Sequence, residues 1–224
     1  MYIIICVLNH IKLIKHIVFI LLMLSFKNNI NEIGIDEAGR GPLLGPVYAG
    51  AVIWEEGLEF ELIKDSKKLT KIRRKKAFDW IMENVKYWGV GSASEKEIDD
   101  INILQATKLA MDRAIKDLHK KTEDSNLIIN NMIIDGVYWE KHKFPYPVES
   151  IVKGDSKYYS IACASIIAKE FHDKHIMEIV NNNPDIDKRY NLAKNMGYGT
   201  MAHLDGIKKY GICEYHRKTF KCCK

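Results

Sequence analysis

The stretch EIGIDEAGRGPLLGPVYAGAVIW, running from Glu32 to Trp54, decides the fold class. Residues 32–36 and 46–54 read as two strands, and the glycine- and proline-rich AGRGPLLG between them reads as a turn. Residues 71–84 follow as a basic helix with Thr70 as N-cap, and residues 87–93 as a third strand. Ile101, Leu104, Met111, Ile115 and Leu118 recur at helical spacing and predict one buried stripe of a long helix. Residues 127–135 form a strong strand pattern interrupted by Asn130 and Asn131, and residues 147–152 a shorter one. A helix is expected over residues 157–180, its start rich in small side chains (Ala162, Ala164, Ser165, Ala168) that permit close packing, and a last helix over residues 200–210. Strands in succession, then strands alternating with helices, predict an α/β fold: a mixed β-sheet flanked by helices, with a helical C-terminal region.

The 224 residues, 47% hydrophobic and 28% charged, suffice for one compact domain with a sizeable core. That composition excludes a disordered chain, a collagen and a disulfide mini-protein. The formal charge is +5. Its placement says more than its size, because bases crowd residues 64–76 and 207–224, and patches of this kind suit phosphates. Five cysteines in odd number, with no paired CxxC spacing, point to a reduced, cytoplasmic setting. Cys222 and Cys223 are adjacent but lack partners at tetrahedral spacing, so a frayed tail is the expectation there rather than a metal site.

Residues 1–30 form an apolar N-terminal extension. Lys12, Lys15, His10 and His16 interrupt it, whereas a spanning helix wants about 20 mostly apolar residues with few charges. A short apolar region follows Lys15, but no small-x-small cleavage site comes after it. Initiation at the in-frame Met23 would make the leader an artefact of start-site choice; a membrane anchor and a packed helix are the alternatives. Beyond it no stretch is Pro-, Gly- or Ser-rich enough to be a linker, so residues 31–224 are expected to form one domain.

The chemistry begins with acids placed where strand patterns stop. Asp36 and Glu37 follow Ile33 and Ile35, Asp135 closes NMIID before Gly136, and Asp155 follows Val152, Lys153 and Gly154. Taken singly, each acid is better read as a turn or capping residue. Taken together, acids converging at a core edge need a metal, a shared proton or basic partners. Hard cations such as Mg²⁺ or Mn²⁺ prefer such oxygen ligands, and two of them about 4 Å apart would activate a water and stabilise the leaving oxygen in phosphodiester hydrolysis. An ideal strand sends the neighbours Asp36 and Glu37 to opposite faces, so both reach one site only where the strand twists or ends.

Ile35-Asp36-Glu37-Ala38-Gly39-Arg40-Gly41-Pro42 resembles the opening signature of type 2 ribonucleases H, bacterial ribonuclease HII in particular. Asp65-Ser66-Lys67-Lys68-Leu69, Ile134-Asp135-Gly136, Val152-Lys153-Gly154-Asp155-Ser156, Gly197-Tyr198-Gly199-Thr200 and His216-Arg217-Lys218-Thr219-Phe220 resemble that family's later blocks, in the same order. The likeness runs from about residue 32 to residue 220 and implies that residues 31–224 are a catalytic domain of the ribonuclease HII kind. It implies a ribonuclease H-like fold and a divalent-metal-dependent endonuclease using Mn²⁺ or Mg²⁺. Such an enzyme cuts the RNA strand of RNA–DNA hybrids, or duplex DNA 5′ of embedded ribonucleotides, and leaves 3′-hydroxyl and 5′-phosphate ends.

By that resemblance Asp36, Glu37, Asp135 and Asp155 are the catalytic, metal-binding quartet, and no histidine is required. Gly39, Arg40 and Gly41 would contact substrate. Glycines allow the backbone close to a 2′-hydroxyl, although they would serve a plain tight turn equally well. Tyr198 resembles the family tyrosine that stacks on a sugar; a half-buried loop tyrosine is the alternative. Lys67 and Lys68 are expected phosphate contacts, and Lys153 either touches phosphate or balances the acids. Two departures stand out: Met196 precedes Gly197 where a lysine is common, and Glu-Phe-His-Asp follows Lys169 where the family usually carries arginine.

Ribonuclease HIII is the nearest alternative, but about thirty apolar residues cannot form its added N-terminal substrate-binding domain. A non-catalytic nucleic-acid binder would gain nothing from four acids beside phosphates. A monomer is expected, with no membrane partner unless the N-terminal extension is real.

Overall fold

A computed structural model describes residues 31–55, 57–58, 63 and 69–224. The expectations for residues 1–30, Lys67 and Lys68 lie outside the described residues.

Among the described residues five strands form one sheet: β1 (Glu32–Ala38), β2 (Val47–Ile53), β3 (Tyr87–Ala93), β4 (Asn131–Asp135) and β5 (Val148–Ile151). Their order is β3-β2-β1-β4-β5, with β1–β2 and β2–β3 antiparallel and β1–β4 and β4–β5 parallel. The expected mixed sheet is therefore present. β1 and β2 are joined by the turn expected at residues 38–45, β3 pairs antiparallel with β2 after a helix (Lys71–Asn84) has intervened, and the parallel strands follow a helical crossover.

The helices are α1 (Lys71–Asn84), α2 (Glu95–Thr122), α3 (Tyr159–Asn182), α4 (Pro184–Tyr190), α5 (Leu192–Asn195) and α6 (Met201–Tyr210). Thr70 caps α1, its side chain accepting from Arg73 N–H, and Ser94 opens α2 with a reciprocal capping box to Glu97. One core lies between the sheet and α2, built from Ile33, Ile35, Ala110, Met111, Ala114 and Leu118. Another lies on the opposite face, where Val52, Ala162, Cys163 and Ile166 meet Ala77 and Ile81 of α1.

The stripe predicted along α2 holds only in part. Met111, Ile115 and Leu118 are buried, but Ile101 and Leu104 are 39% and 40% exposed. Asn102 is the reason. Its backbone leaves the helix at φ 66°, ψ 164°, and its side-chain oxygen accepts from the N–H groups of Leu104 and Gln105, restarting the helix in a new register. β4 is likewise shorter than its apolar pattern, beginning at Asn131. α4 and α5 have no counterpart in the sequence reading.

α3 sits close to the sheet because β1 and β2 present Gly34 and Gly50 to it. A Cβ on Gly50 would collide with the backbone carbonyl of Ala164. Gly50→Ala is therefore expected to destabilise the domain by about 2–3 kcal/mol through overpacking, read as a lower urea midpoint. An unchanged midpoint would show that these glycines do not set the spacing between helix and sheet.

Candidate active site

β1 and β4 run parallel, and their register pairs Ile35 with Ile134. The next residue on each strand is an acid, so the same pairing sets Asp36 beside Asp135 at the carboxyl end of the sheet. The register also places Gly50 opposite Asp36, where the backbone of Ala164 on α3 packs directly against it. Asp36 is buried. Burial above all, then the charges of Glu37 and Asp135, drive its carboxyl well above the usual carboxylate range, while a hydrogen bond from Ser165 opposes them.

Glu37, the next residue, lies nearer solvent. Its N–H donates to Asp36 Oδ1 at 2.7 Å and its carboxylate pairs with Arg40 at 3.1 Å. Although the pleat sends it the other way, Glu37 lines the same cleft as Ser165, because the strand ends one residue later and Gly39 turns the chain at φ +90°.

Asp155 reaches this end by a different device. Lys153 adopts a left-handed conformation (φ 55°), and the single turn Gly154–Ser156 that follows buries Asp155 while leaving Lys153 exposed. The turn is tied to β4, since Gly154 N–H donates to Asp135 Oδ1 at 2.6 Å. The carboxylate of Asp135 thus holds the segment that carries Asp155.

Among the described residues no three His, Cys, Asp or Glu side chains are gathered closely enough to hold an ion as they stand. The donor set nevertheless fits a hard divalent cation. It is all carboxylate, and the repulsion felt at Asp36 is of the kind a cation removes.

Beside the acids opens a cleft of about 400 Å³ lined by Glu37, Gly39, Arg40, Gly41, Arg74, Ser165, Lys169 and Tyr198. Gly39, Arg40, Gly41 and Tyr198, expected separately from sequence, share this wall. Tyr198 is 40% exposed, a Cβ on Gly41 would stand 3.3 Å from its ring, and Lys169 Nζ lies 5.4 Å from the ring centroid. Lys153 is exposed on the Asp155 turn and is not part of that wall.

The sequence does not single out several residues of the site, although they lie in the basic segment 64–76 or in and just after the Ala164–Lys169 run. Arg74 and Lys169 enter the cleft inside an ion network: Arg74 meets Glu170 at 2.5 Å and Asp173 at 2.9 Å, and Lys169 meets Asp173 at 2.8 Å. His172 belongs to the block that departs from the family pattern. It is buried, meets Asp173 Oδ1 at 3.0 Å and packs directly beneath Gly39, where a Cβ would lie 2.5 Å from its ring. Met196, the other departure, packs into the core formed by Leu44, Ile176, Tyr190 and Leu192.

Arg217 is the base of the 207–224 segment that does not face solvent, whereas Lys208, Lys209, Lys218, Lys221 and Lys224 are exposed. It is 0% exposed. Its Nε donates to Gly45 O at 2.8 Å, Nη1 to Arg40 O at 3.0 Å, and Nη2 to Gly39 O at 2.6 Å and Pro46 O at 3.2 Å. The guanidinium therefore satisfies the carbonyls inside the 39–46 turn and fixes its shape. The tail around it is not frayed. Asp99 accepts from the N–H groups of Lys218 and Thr219, and Cys223 is buried with its thiol toward Leu43 O.

Among the described residues no helix is long and apolar enough to cross a membrane. Ribonuclease HII of Polynucleobacter necessarius subsp. necessarius is 46% identical over 190 residues, covering 84% of this chain and 90% of that relative. The crystal structure of ribonuclease H2 from Pyrococcus horikoshii OT3 matches with a TM-score of 0.62 and 25% identity, over 85% of this chain and 94% of that one. Bst-RNase HIII, solved in complex with Mn²⁺, shares the fold with a TM-score of 0.63 at 20% identity, over 90% and 69% of the two chains. Residues 33–223 match the family model described as Ribonuclease HII, and with acids ending β1 and β4 beside a glycine-walled cleft the chain belongs to the ribonuclease HII family, as an enzyme of the ribonuclease H type.

Proposed function

We propose that residues 31–224 form a divalent-metal-dependent endonuclease that hydrolyses the RNA strand of RNA–DNA hybrids and also cuts duplex DNA on the 5′ side of an embedded ribonucleotide. The ends left are a 3′-hydroxyl and a 5′-phosphate. The observation that supports this reading is the pairing of β1 with β4, which sets Asp36 beside Asp135 and next to a Glu37-lined cleft whose wall is glycine backbone and a tyrosine ring, while the turn carrying Asp155 is tied to Asp135.

Asp36, Glu37, Asp135 and Asp155 would hold Mn²⁺ or Mg²⁺, which supplies Lewis acidity for attack of water on a phosphodiester. Gly39 and Gly41 let the backbone come within hydrogen-bonding distance of a 2′-hydroxyl, the group that separates RNA from DNA. The partly exposed ring of Tyr198 offers a stacking surface to the neighbouring sugar or base. Arg40 and Lys169 add positive charge at the cleft. Lys67, Lys68 and Lys153 are assigned to phosphates further along the duplex, the enzyme acting as a cytoplasmic monomer.

Cleavage of a labelled DNA duplex carrying one ribonucleotide tests reaction, substrate and metal together. With Mn²⁺ or Mg²⁺, one cut 5′ of the ribonucleotide with a 3′-hydroxyl end is expected, and none in chelator. A 2′,3′-cyclic phosphate, or cutting in chelator, would overturn the mechanism; cleavage of long hybrids alone would remove the single-ribonucleotide activity.

A further inference from the structure

Behind the Tyr198 wall lies a group of side chains that is not part of the cleft lining and meets it at the backbone of Tyr198. His203 of α6 and His216 are both fully buried, and their Nε2 atoms face each other at 3.0 Å. His216 Nδ1 lies 3.0 Å from the backbone N–H of Cys213 and 3.1 Å from its thiol sulfur. His203 Nδ1 lies 3.0 Å from the carbonyl oxygen of Tyr198. Tyr190 packs against both rings, with centroids 5.6 Å from His203 and 4.7 Å from His216, and its hydroxyl donates to Gly211 O.

These contacts admit one assignment of protons. A backbone N–H can only donate, so His216 Nδ1 accepts and the proton of that neutral ring sits on Nε2. His216 Nε2 then donates to His203 Nε2, which must be bare. The proton of His203 is consequently on Nδ1 and donates to Tyr198 O. Three hydrogen bonds run in one direction, from Cys213 through two imidazoles to the backbone of the tyrosine in the cleft wall. An added proton breaks the chain wherever it lands. On His216 it opposes the Cys213 N–H, and on His203 it sets two N–H groups head to head.

Among the described residues, the groups facing the pair are Tyr190, Cys213, the backbone carbonyls of Tyr198 and Gly197 and each other, and no carboxylate is hydrogen-bonded to either ring. Burial, and for His216 also its neighbour His203, push both rings below the ordinary histidine value, His216 to about 4. Both therefore stay neutral through the physiological range. The loop they hold is fixed on two more sides. Asn195 joins Tyr190 O to Gly197 N–H, and Gly197 O accepts from Leu43 N–H of the glycine-rich turn.

We propose that His203 and His216 are positioning residues: a relay locked in one pair of tautomers that holds Tyr198 against Gly41 and so sets affinity for the nucleic-acid strand. This rests on the reading of Tyr198 as a substrate contact.

Steady-state kinetics on a ribonucleotide-containing duplex test it with His203→Leu, His203→Asn, Tyr198→Ala and the double variant Tyr198→Ala with His203→Leu. Loss of one positioning hydrogen bond is expected to raise KM roughly tenfold in His203→Leu while kcat stays within about twofold. The amide of His203→Asn reoccupies the donor position of Nδ1 and is expected to restore most of the loss. In the Tyr198→Ala background His203→Leu should add nothing. A folded His203→Leu with wild-type KM, or one whose effect multiplies with that of Tyr198→Ala, overturns the relay alone. A Tyr198→Ala enzyme with wild-type KM overturns the reading of the cleft and the relay with it. Should His203→Leu not fold, ¹⁵N spectra of the wild-type imidazoles decide: a neutral Nδ1–H ring and a neutral Nε2–H ring support the relay, and two rings of one tautomer overturn it.

Discussion

Asp135→Asn is expected to lower cleavage by more than about a thousandfold, the scale of removing a charge that helps hold a Lewis-acid cation at the reacting phosphate. Binding to an RNA–DNA hybrid should survive, because Asn retains the oxygen that accepts from Gly154 N–H and so keeps the turn that carries Asp155. Asp135→Ala removes that acceptor as well, and should lose stability in addition to activity. Parallel measurements of single-turnover rate, hybrid affinity and urea midpoint separate the two variants. An active Asp135→Asn enzyme would end the catalytic assignment.

The same logic with the opposite sign applies at Asp36. Its folded-state pKa lies above the ordinary carboxylate value, chiefly through burial and then through Glu37 and Asp135. Its ionised form therefore costs stability at pH values above the ordinary carboxylate range, and the cost disappears as the pH falls into that range. Asp36→Asn should accordingly be inactive yet unfold at a higher urea concentration than wild type in chelator at neutral pH. Added Mn²⁺ should stabilise the wild type far more than the variant.

The second large effect is on folding. Arg217→Met leaves the carbonyls of Gly39, Arg40, Gly45 and Pro46 without their donor in a buried turn. At about 1–3 kcal/mol for each buried polar group left unsatisfied, with some relief from water, a total loss of about 4 kcal/mol or more is expected. That is a large part of a typical domain stability of about 5–15 kcal/mol. Arg217→Lys should recover less than half, since one ammonium cannot reproduce the planar fork that meets four carbonyls. Urea unfolding of the three proteins is the measurement, and an Arg217→Lys midpoint equal to wild type would show that the fork geometry is not what the turn requires.

Much of the scaffold could be read from residue order. The turn chemistry of residues 38–46, the capping residue Thr70 and the strand over residues 87–93 are local properties, and they appear where local rules place them. The acids were legible as acids at strand ends. Their convergence was not, because it depends on the parallel pairing of β1 with β4, residues about a hundred positions apart. The break at Asn102 escaped for a related reason: a single residue with φ 66° shifts the helical register, and the apolar spacing on either side looks continuous. Arg217, His203 and His216 were the least legible. In a sequence, a buried base that serves backbone carbonyls is indistinguishable from a surface base that serves phosphate, and only burial separates them.

The reach of Arg217 bears on when the glycine-rich turn is completed. Its bonds to the glycine-rich turn close loops of 171 to 178 residues. A chain made from its N-terminus has the first two acids and the turn beside them early, but the side chain that satisfies that turn arrives almost last. A chain ending before Arg217 is expected to leave the carbonyls of the 39–46 turn without that donor. Closing that turn is thus among the most non-local steps of folding, and it has to wait for residues near the end of the domain.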